Sequence, residues 1–208
     1  MERFIELYKP FGFYVYAYAH LRASLKLLDF GLDHYSGMLS GKGIFVDIGC
    51  GYGLVSNYLA LRSPNNKVIG IDNDAKRIEI ASKTIGDRDN IQFLNVDAVN
   101  WFMTEKCVMV VMSDFLHHVS CEGQKQILKH VYDNLQEDGI VLIAEVDPSA
   151  SFYKYWQSYC FDRLFYPSPL HFHKPDDWVK MLSEIGFKVS INRSNNCFFA
   201  RIDYVCTK

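Results

Sequence analysis

The residues whose types and spacing are suited to chemistry fall in three places. The first is Val46-Asp47-Ile48-Gly49-Cys50-Gly51-Tyr52-Gly53, an apolar run carrying one acid and ending in alternating glycines. Residues without a Cβ let a backbone turn tightly and approach a ligand closely. A helix starting just beyond such a turn presents unpaired N–H groups to an anionic moiety. The second place is a pair of acids, each closing a short β-branched run. Asp72 follows Gly70-Ile71 and precedes Asn73, and Asp97 follows Asn95-Val96 and precedes Ala98. A carboxylate accepts two hydrogen bonds from a vicinal diol, and it accepts as readily from an exocyclic amine. The third is Ser113-Asp114-Phe115-Leu116-His117-His118, whose paired rings take up a proton near neutral pH.

These groups need elements to hold them, and the chain from residue 43 onward supplies them. Short β-branched runs alternate with amphipathic stretches, the pattern of a parallel α/β sheet. Strands are expected at 44–48, 68–71, 91–96, 108–112 and 140–146. Between them Leu54, Val55, Tyr58, Leu59 and Leu61 form one helical stripe, and Ile78, Ala81 and Ile85 another, capped by Asn73 or Asp74. Ser120 caps a helix carrying Ile127, Leu128, Val131 and Leu135, which Gly139 is expected to end. Pro175, Asp176 and Asp177 make a good first turn, because proline lacks only an orphan donor and acids suit the N-terminal dipole. Trp178, Met181, Leu182 and Ile185 form that helix's apolar stripe, and Gly186 closes it. Phe187, Val189 and Ile191 then alternate, Asn192 to Asn196 is turn-rich, and Phe198 to Cys206 is a second strand with no helix between. An antiparallel hairpin is therefore expected to finish the parallel sheet.

Taken in order, these motifs resemble those of class I S-adenosylmethionine (AdoMet)-dependent methyltransferases. Asp47 to Gly53 looks like the family's first motif. Asp72 falls where the family holds the ribose hydroxyls, and Asp97 where its acid commonly meets the adenine amino group. Ser113 to His118 is similar to the segment after the fourth strand in small-molecule members related to quinone-biosynthesis enzymes. The resemblance covers residues 43–208. It implies a Rossmann-like sheet of order 3-2-1-4-5-7-6, with residues 1–42 as a helical cap on the same domain. It also implies cofactor binding by Asp47, Gly49, Cys50, Gly51, Gly53, Asp72, Asn73, Asp97, Ala98 and Ser113. Asp47 is suited either to bracing the turn or to meeting the cofactor's ammonium. A dinucleotide fingerprint would want a third glycine at 54. Leu54 stands there, which disfavours NAD and FAD.

Methyl transfer is an in-line displacement at a carbon already activated by the sulfonium, so the protein aligns the reactants and excludes water. A phenol or activated carbon acceptor also needs a base, for which His117 and His118 are the candidates. Methyltransferases acting on adenine, cytosine N4 or glutamine carry an Asn/Asp-Pro-Pro-Tyr-like motif after strand four. Ser113-Asp114-Phe115-Leu116 has no proline, which points to a small-molecule acceptor. Residues 1–42 hold nine aromatics, and residues 149–173 form a second aromatic-rich segment. Tyr14, Tyr18, Trp156, Tyr159 and His171 are taken from these as lining for a flat or apolar acceptor pocket.

Composition sets the outer bounds. The formal net charge of −2 and the absence of long basic runs give no footprint for nucleic acid. Six cysteines are scattered without a CxxC pair, so no metal site and a reducing, cytoplasmic setting are expected. The apolar stretch Phe11 to Ala19 is too short to span a bilayer. Peripheral membrane contact through it, and a homodimer through an exposed aromatic cap, remain open at this point.

Overall fold

The computed structural model describes residues 2–24, 36–165, 169–193 and 200–208. The turn expected to run to Asn196, the strand start at Phe198 and the ring of Tyr166 lie outside the described residues. Seven strands are formed: β1 Ile44–Ile48, β2 Lys67–Asp72, β3 Ile91–Asn95, β4 Cys107–Ser113, β5 Leu135–Val146, β6 Lys188–Arg193 and β7 Arg201–Thr207. Their order in the sheet is β3-β2-β1-β4-β5-β7-β6, the order the motifs imply. By Cα packing the chain divides into two compact units, Met1–Trp101 and Phe102–Lys208.

In the first unit, β1 and β2 pair in parallel from Ile44↔Lys67 to Ile48↔Ile71. β2 and β3 pair from Val68↔Ile91 to Asp72↔Asn95. The three strands therefore deliver Asp47, Asp72 and Asp97 to their common carboxyl edge. Of the helices here, α1 spans Glu2–Ile5, α2 Phe13–Ser24, α3 Ser36–Ser40, α4 Leu54–Arg62 and α5 Ala75–Lys83, and a 3-10 turn covers Glu6–Phe11. Asp74 is the residue that caps α5, its carboxylate accepting from the N–H groups of Lys76 and Arg77. The stripe expected of α4 needs one correction: Leu61 is exposed. The helix instead buries Ser56 and Asn57 with Val55, Leu59 and Ala60. Those two polar side chains are tolerated inside because each is bonded. Ser56 donates to Asp47, and the Asn57 amide donates to Gly53 O, Thr84 Oγ1 and the hydroxyl of Tyr8, each at 2.8 Å. Tyr8 is fully buried, so this bond fastens the N-terminal segment to the first turn of α4.

The second unit is built on β4 and β5, in which Met109 to Met112 and Ile140 to Ala144 are all buried. Complete burial of such a side chain contributes roughly 1.5–3 kcal/mol. β7 pairs antiparallel with β5, from Ile140↔Thr207 to Val146↔Arg201, and with β6, giving the expected terminal hairpin. Helix α6, Cys121–Asn134, is capped by Ser120, whose Oγ accepts from the N–H of Gly123. It ends five residues before Gly139, which is not its cap. Leu135 already has extended backbone angles, and Gln136 to Asp138 are exposed where the pairing register with β4 shifts. Gly139 is needed for a different reason, since a Cβ there would lie 2.7 Å from Leu135 Cγ. Helix α7, Phe152–Phe165, fills the aromatic-rich segment. Helix α8, Pro175–Ile185, begins with its proline and ends at Gly186 with φ +120°, as its sequence requires.

Candidate functional site

In the first unit, β1 runs into a turn whose three glycines all have left-handed backbones: Gly49 at φ +76°, Gly51 at +53° and Gly53 at +76°. The N–H groups of Gly49 and Cys50 both donate to Ile71 O at 2.9 Å. The N–H of Gly51 donates to Asp72 Oδ2 at 2.8 Å, and the other oxygen of that carboxylate accepts from Asp74 N–H at 2.8 Å. Asp72 therefore ties the turn to the end of β2. A carboxylate offers about four lone-pair positions, so two backbone bonds leave acceptor capacity for a diol. The glycines divide the work between them. A Cβ on Gly53 would fall 2.5 Å from the Phe93 ring, whereas a Cβ on Gly51 would have nothing within 4 Å. Gly53 serves packing, and Gly51 leaves open space beside a carboxylate. That is a fitting cradle for a ribose-bearing ligand.

Asp47 is 1% exposed, and its Oδ2 accepts from Ser56 Oγ at 2.5 Å. Burial pushes its carboxyl up from the ordinary 3.8 to about 6, against the bonds from Ser56. Nearby Asp72 adds to the rise and the charge of Arg22 opposes it. Of the two roles open to Asp47, bracing the turn is visible in the Ser56 bond. Cys50 is buried in the turn, and desolvation pushes its thiol well up, so it is a packing residue and not a nucleophile. Asn73 is exposed next to Asp72. Asp97 is exposed beyond β3, accepting from Val99 N–H and from the Asn100 amide, both at 3.0 Å, with Ala98 half-buried beside it. Tyr18 meets Tyr52 of the turn edge-on, ring centroids 5.8 Å apart, and Arg77 lies 5.8 Å from the same ring. Tyr14 is 52% exposed, and partial burial raises its phenol, with the Tyr52 and Tyr18 phenols adding to the rise.

In the second unit, Ser113 closes β4, with its Oγ 3.4 Å from Asp114 Oδ2. Asp114 holds a left-handed backbone, φ +50°, which is uncommon outside glycine. Beyond it the 3-10 turn Leu116–His118 is pinned by Glu145, a buried acid near the end of β5. One oxygen of Glu145 accepts from Leu116 N–H at 2.8 Å, and the other lies 2.5 Å from His117 Nδ1. A carboxylate only accepts, so the proton on His117 belongs on Nδ1 and leaves Nε2 as the basic atom. The ring is fully buried, stacked on Phe172 at 5.1 Å and tilted against His118 at 4.2 Å. His171 donates its N–H to His117 O at 2.7 Å. Gln124 of α6 donates to Leu116 O, Val119 O and His171 O, and bonds His173 Nε2 at 2.7 Å. His171 is thus joined to the histidine turn through its backbone. Tyr159 reaches it through Tyr155, 6.4 Å away, which meets Phe172 at 5.7 Å. Trp156, 54% exposed, is not brought to this cluster.

Glu145, Gln124 and Arg22 were not singled out by the sequence reading. For Glu145 a signal was present, because an acid inside the apolar run Ile140 to Val146 is rarely buried without a partner. Gln124 and Arg22 carry no comparable mark.

Comparison with known proteins bears on the fold. Residues 45–139 match the family model of a methyltransferase domain. The fold is shared with the magnesium protoporphyrin IX methyltransferase of Synechocystis, solved with bound SAH (TM-score 0.68, 19% identity, 89% of this chain and 83% of that one). It is a class I methyltransferase fold. A methyltransferase from Clostridium acetobutylicum shares it too, with TM-score 0.68 and 14% identity over 92% of this chain and 97% of that one. Among curated relatives, a malonyl-[acyl-carrier protein] O-methyltransferase of Ilyobacter polytropus is 26% identical over 94 residues, 45% of this chain and 34% of its own. A carboxy-S-adenosyl-L-methionine synthase of Nautilia profundicola is 26% identical over 121 residues, 57% of this chain and 50% of its own. The chain therefore spans a third to a half of the length of these relatives. Among the described residues no helix is long and apolar enough to cross a membrane, and no group of three or more His, Cys, Asp or Glu is placed to hold a metal ion.

Proposed function

We propose that this methyltransferase fold binds AdoMet at the glycine turn and transfers its methyl group to a small aromatic or apolar acceptor. The observation that carries the reading is the pairing of Gly51 with Asp72. An open, left-handed backbone position lies directly beside a carboxylate with acceptor capacity to spare. In this reading Asp72 holds the ribose hydroxyls. Asp97 meets the adenine amino group, with Asn73 and Ala98 flanking. The cofactor supplies a methyl carbon activated by sulfonium, and the chain supplies alignment and exclusion of water. His117, its tautomer set by Glu145, accepts the acceptor's proton once that acceptor seats against the segment around His171 and Phe172. His118 supports the ring.

A thermal-unfolding series with AdoMet, S-adenosylhomocysteine and NAD tests the reading. A ligand at a hundred times its dissociation constant stabilises the fold by about 2.7 kcal/mol. At roughly 2–4 °C per kcal/mol for this size, a rise of about 5–11 °C is expected with the first two and none with NAD. No rise with either methyl-cycle ligand removes the reading.

A further inference from the structure

The His117 ring is completely buried, and a base that no acceptor can reach moves no proton. Something over it must open, and residues 171–173 are what lies there. They run across the histidine turn as a strap between α7 and α8. His171 donates its N–H to His117 O at 2.7 Å. Phe172 lies on the His117 imidazole, with ring centroids 5.1 Å apart and planes 26° from parallel, and Tyr155 of α7 meets Phe172 edge-on at 5.7 Å. His173 is bonded through Nε2 to Gln124 Oε1 at 2.7 Å, and the Gln124 amide reaches back to His171 O at 3.3 Å.

The strap and the turn beneath it are held unequally. Residues 171–173 are half-buried and belong to no helix or strand, the marks of a segment that opens locally, well short of global unfolding. The turn is gripped from below by Glu145, which is 1% exposed and bonds both Leu116 and His117. When the strap lifts, His117 therefore stays where Glu145 holds it. The position that Phe172 vacates has a definite chemistry. A phenyl ring lying on an imidazole is the arrangement that a flat aromatic acceptor would take there. We propose that Phe172 occupies the seat of the acceptor's ring, and that residues 171–173 are a gate which the acceptor displaces to reach His117. This rests on the reading of His117 as the proton acceptor. It also makes Phe172 a specificity-determining residue, because a non-aromatic acceptor of equal size does not restore the ring contact it breaks.

The test labels the full chain with diethyl pyrocarbonate, which acylates an accessible imidazole nitrogen, and reads His117 by peptide mapping. In the wild type, His117 is expected to label at a rate that barely changes with urea below the unfolding transition, since a local opening exposes little surface. Anisole, a flat ring with no nucleophile of its own, should slow that labelling. Methoxycyclohexane, its non-aromatic counterpart, should need a concentration about two- to tenfold higher for the same protection, the worth of one ring–ring contact. Phe172→Ala removes the occupant, so His117 should label on the order of tenfold faster, with His130 of α6 unchanged, and anisole should protect it at lower concentration. If Phe172→Ala does not fold, the wild-type urea and anisole series decide alone. Wild-type labelling that rises with urea as steeply as global unfolding overturns the gate. Anisole that leaves His117 labelling unchanged, or protects no better than methoxycyclohexane, overturns the seat. The assay contains no cofactor and no turnover, so a failure of the AdoMet reading shows in the S-adenosylhomocysteine series and not here.

Discussion

The glycine turn and the His117–Glu145 pair are both compact polar sites beside the carboxyl ends of strands, and they are built on opposite principles. In the turn the bonds are made by backbone N–H groups, which Ile71 O and one oxygen of Asp72 accept, and the position at Gly51 is left open. In the histidine site the bonds are made by the buried side chains of Glu145 and Gln124. Glu145 grips Leu116 and His117, Gln124 ties Leu116 to His171, and Phe172 lies on the imidazole. The first arrangement leaves open space at Gly51 beside the Asp72 carboxylate. The second is filled by its own side chains, and its integrity depends on each partner.

That contrast orders the effects of substitution. Glu145→Ala should be the most damaging, because removing one member of a buried, hydrogen-bonded pair leaves the other uncompensated. Leu116 N–H and His117 Nδ1–H each lose their acceptor, at about 1–3 kcal/mol apiece, so a loss of roughly 2–6 kcal/mol is expected, read as a melting temperature lower by about 4–24 °C. A change under ~1 kcal/mol would mean the pair is not a structural unit. Gly53→Ala comes next, at roughly 2–4 kcal/mol. It combines a left-handed backbone with a Cβ driven into Phe93, so strain and overpacking add. Chemical denaturation would show it as a lower midpoint.

Asp47→Asn should act in the opposite direction. The carboxyl is raised from 3.8 to about 6 in the fold, so the folded state binds the proton more tightly than the unfolded chain. Stability therefore falls as pH rises between those values, and the cost, roughly 3 kcal/mol, is complete above pH 6. The ligand-free variant should melt higher than the wild type at pH 7.5 and equally near pH 3.5. A variant that melts lower at pH 7.5 would show that the ionised carboxylate braces the turn by more than its burial costs. The smallest stability change belongs to Gly51→Ala. It carries only left-handed strain of about 1–2 kcal/mol, with no clash, yet its loss of S-adenosylhomocysteine affinity should exceed that of any surface substitution. If Gly51→Ala bound the ligand normally, the opening at this position would not be the ligand's.

The same contrast explains how much was legible in the sequence. The strands, the terminal hairpin and the glycine turn could be read because each depends on local patterns: alternation, helical stripes and closely spaced glycines; the strand order followed from the resemblance to a known family. Asp72 was legible as an acid at a strand end, but not its bond to Gly51, which spans 21 residues. The end of α6 was misread at Gly139 because the feature that fixes that glycine is the Leu135 side chain and not a helix terminus. The partners of the histidine turn come from β5, α6 and the segment before α8, and no spacing rule links them. Side chains that meet only after folding leave little trace in the local pattern. Glu145 was the exception, an acid out of place in an apolar strand.

The central claim is that the glycine turn, with Asp72, is where the cofactor binds. Backbone amide resonances of the ¹⁵N-labelled chain, followed during titration with S-adenosylhomocysteine, test it most directly. The account predicts the largest shifts at Gly49, Cys50, Gly51 and Gly53, with further shifts at Asp72, Asn73, Asp97 and Ala98. Saturable binding that left the amides of Gly49 to Gly53 unmoved would contradict it.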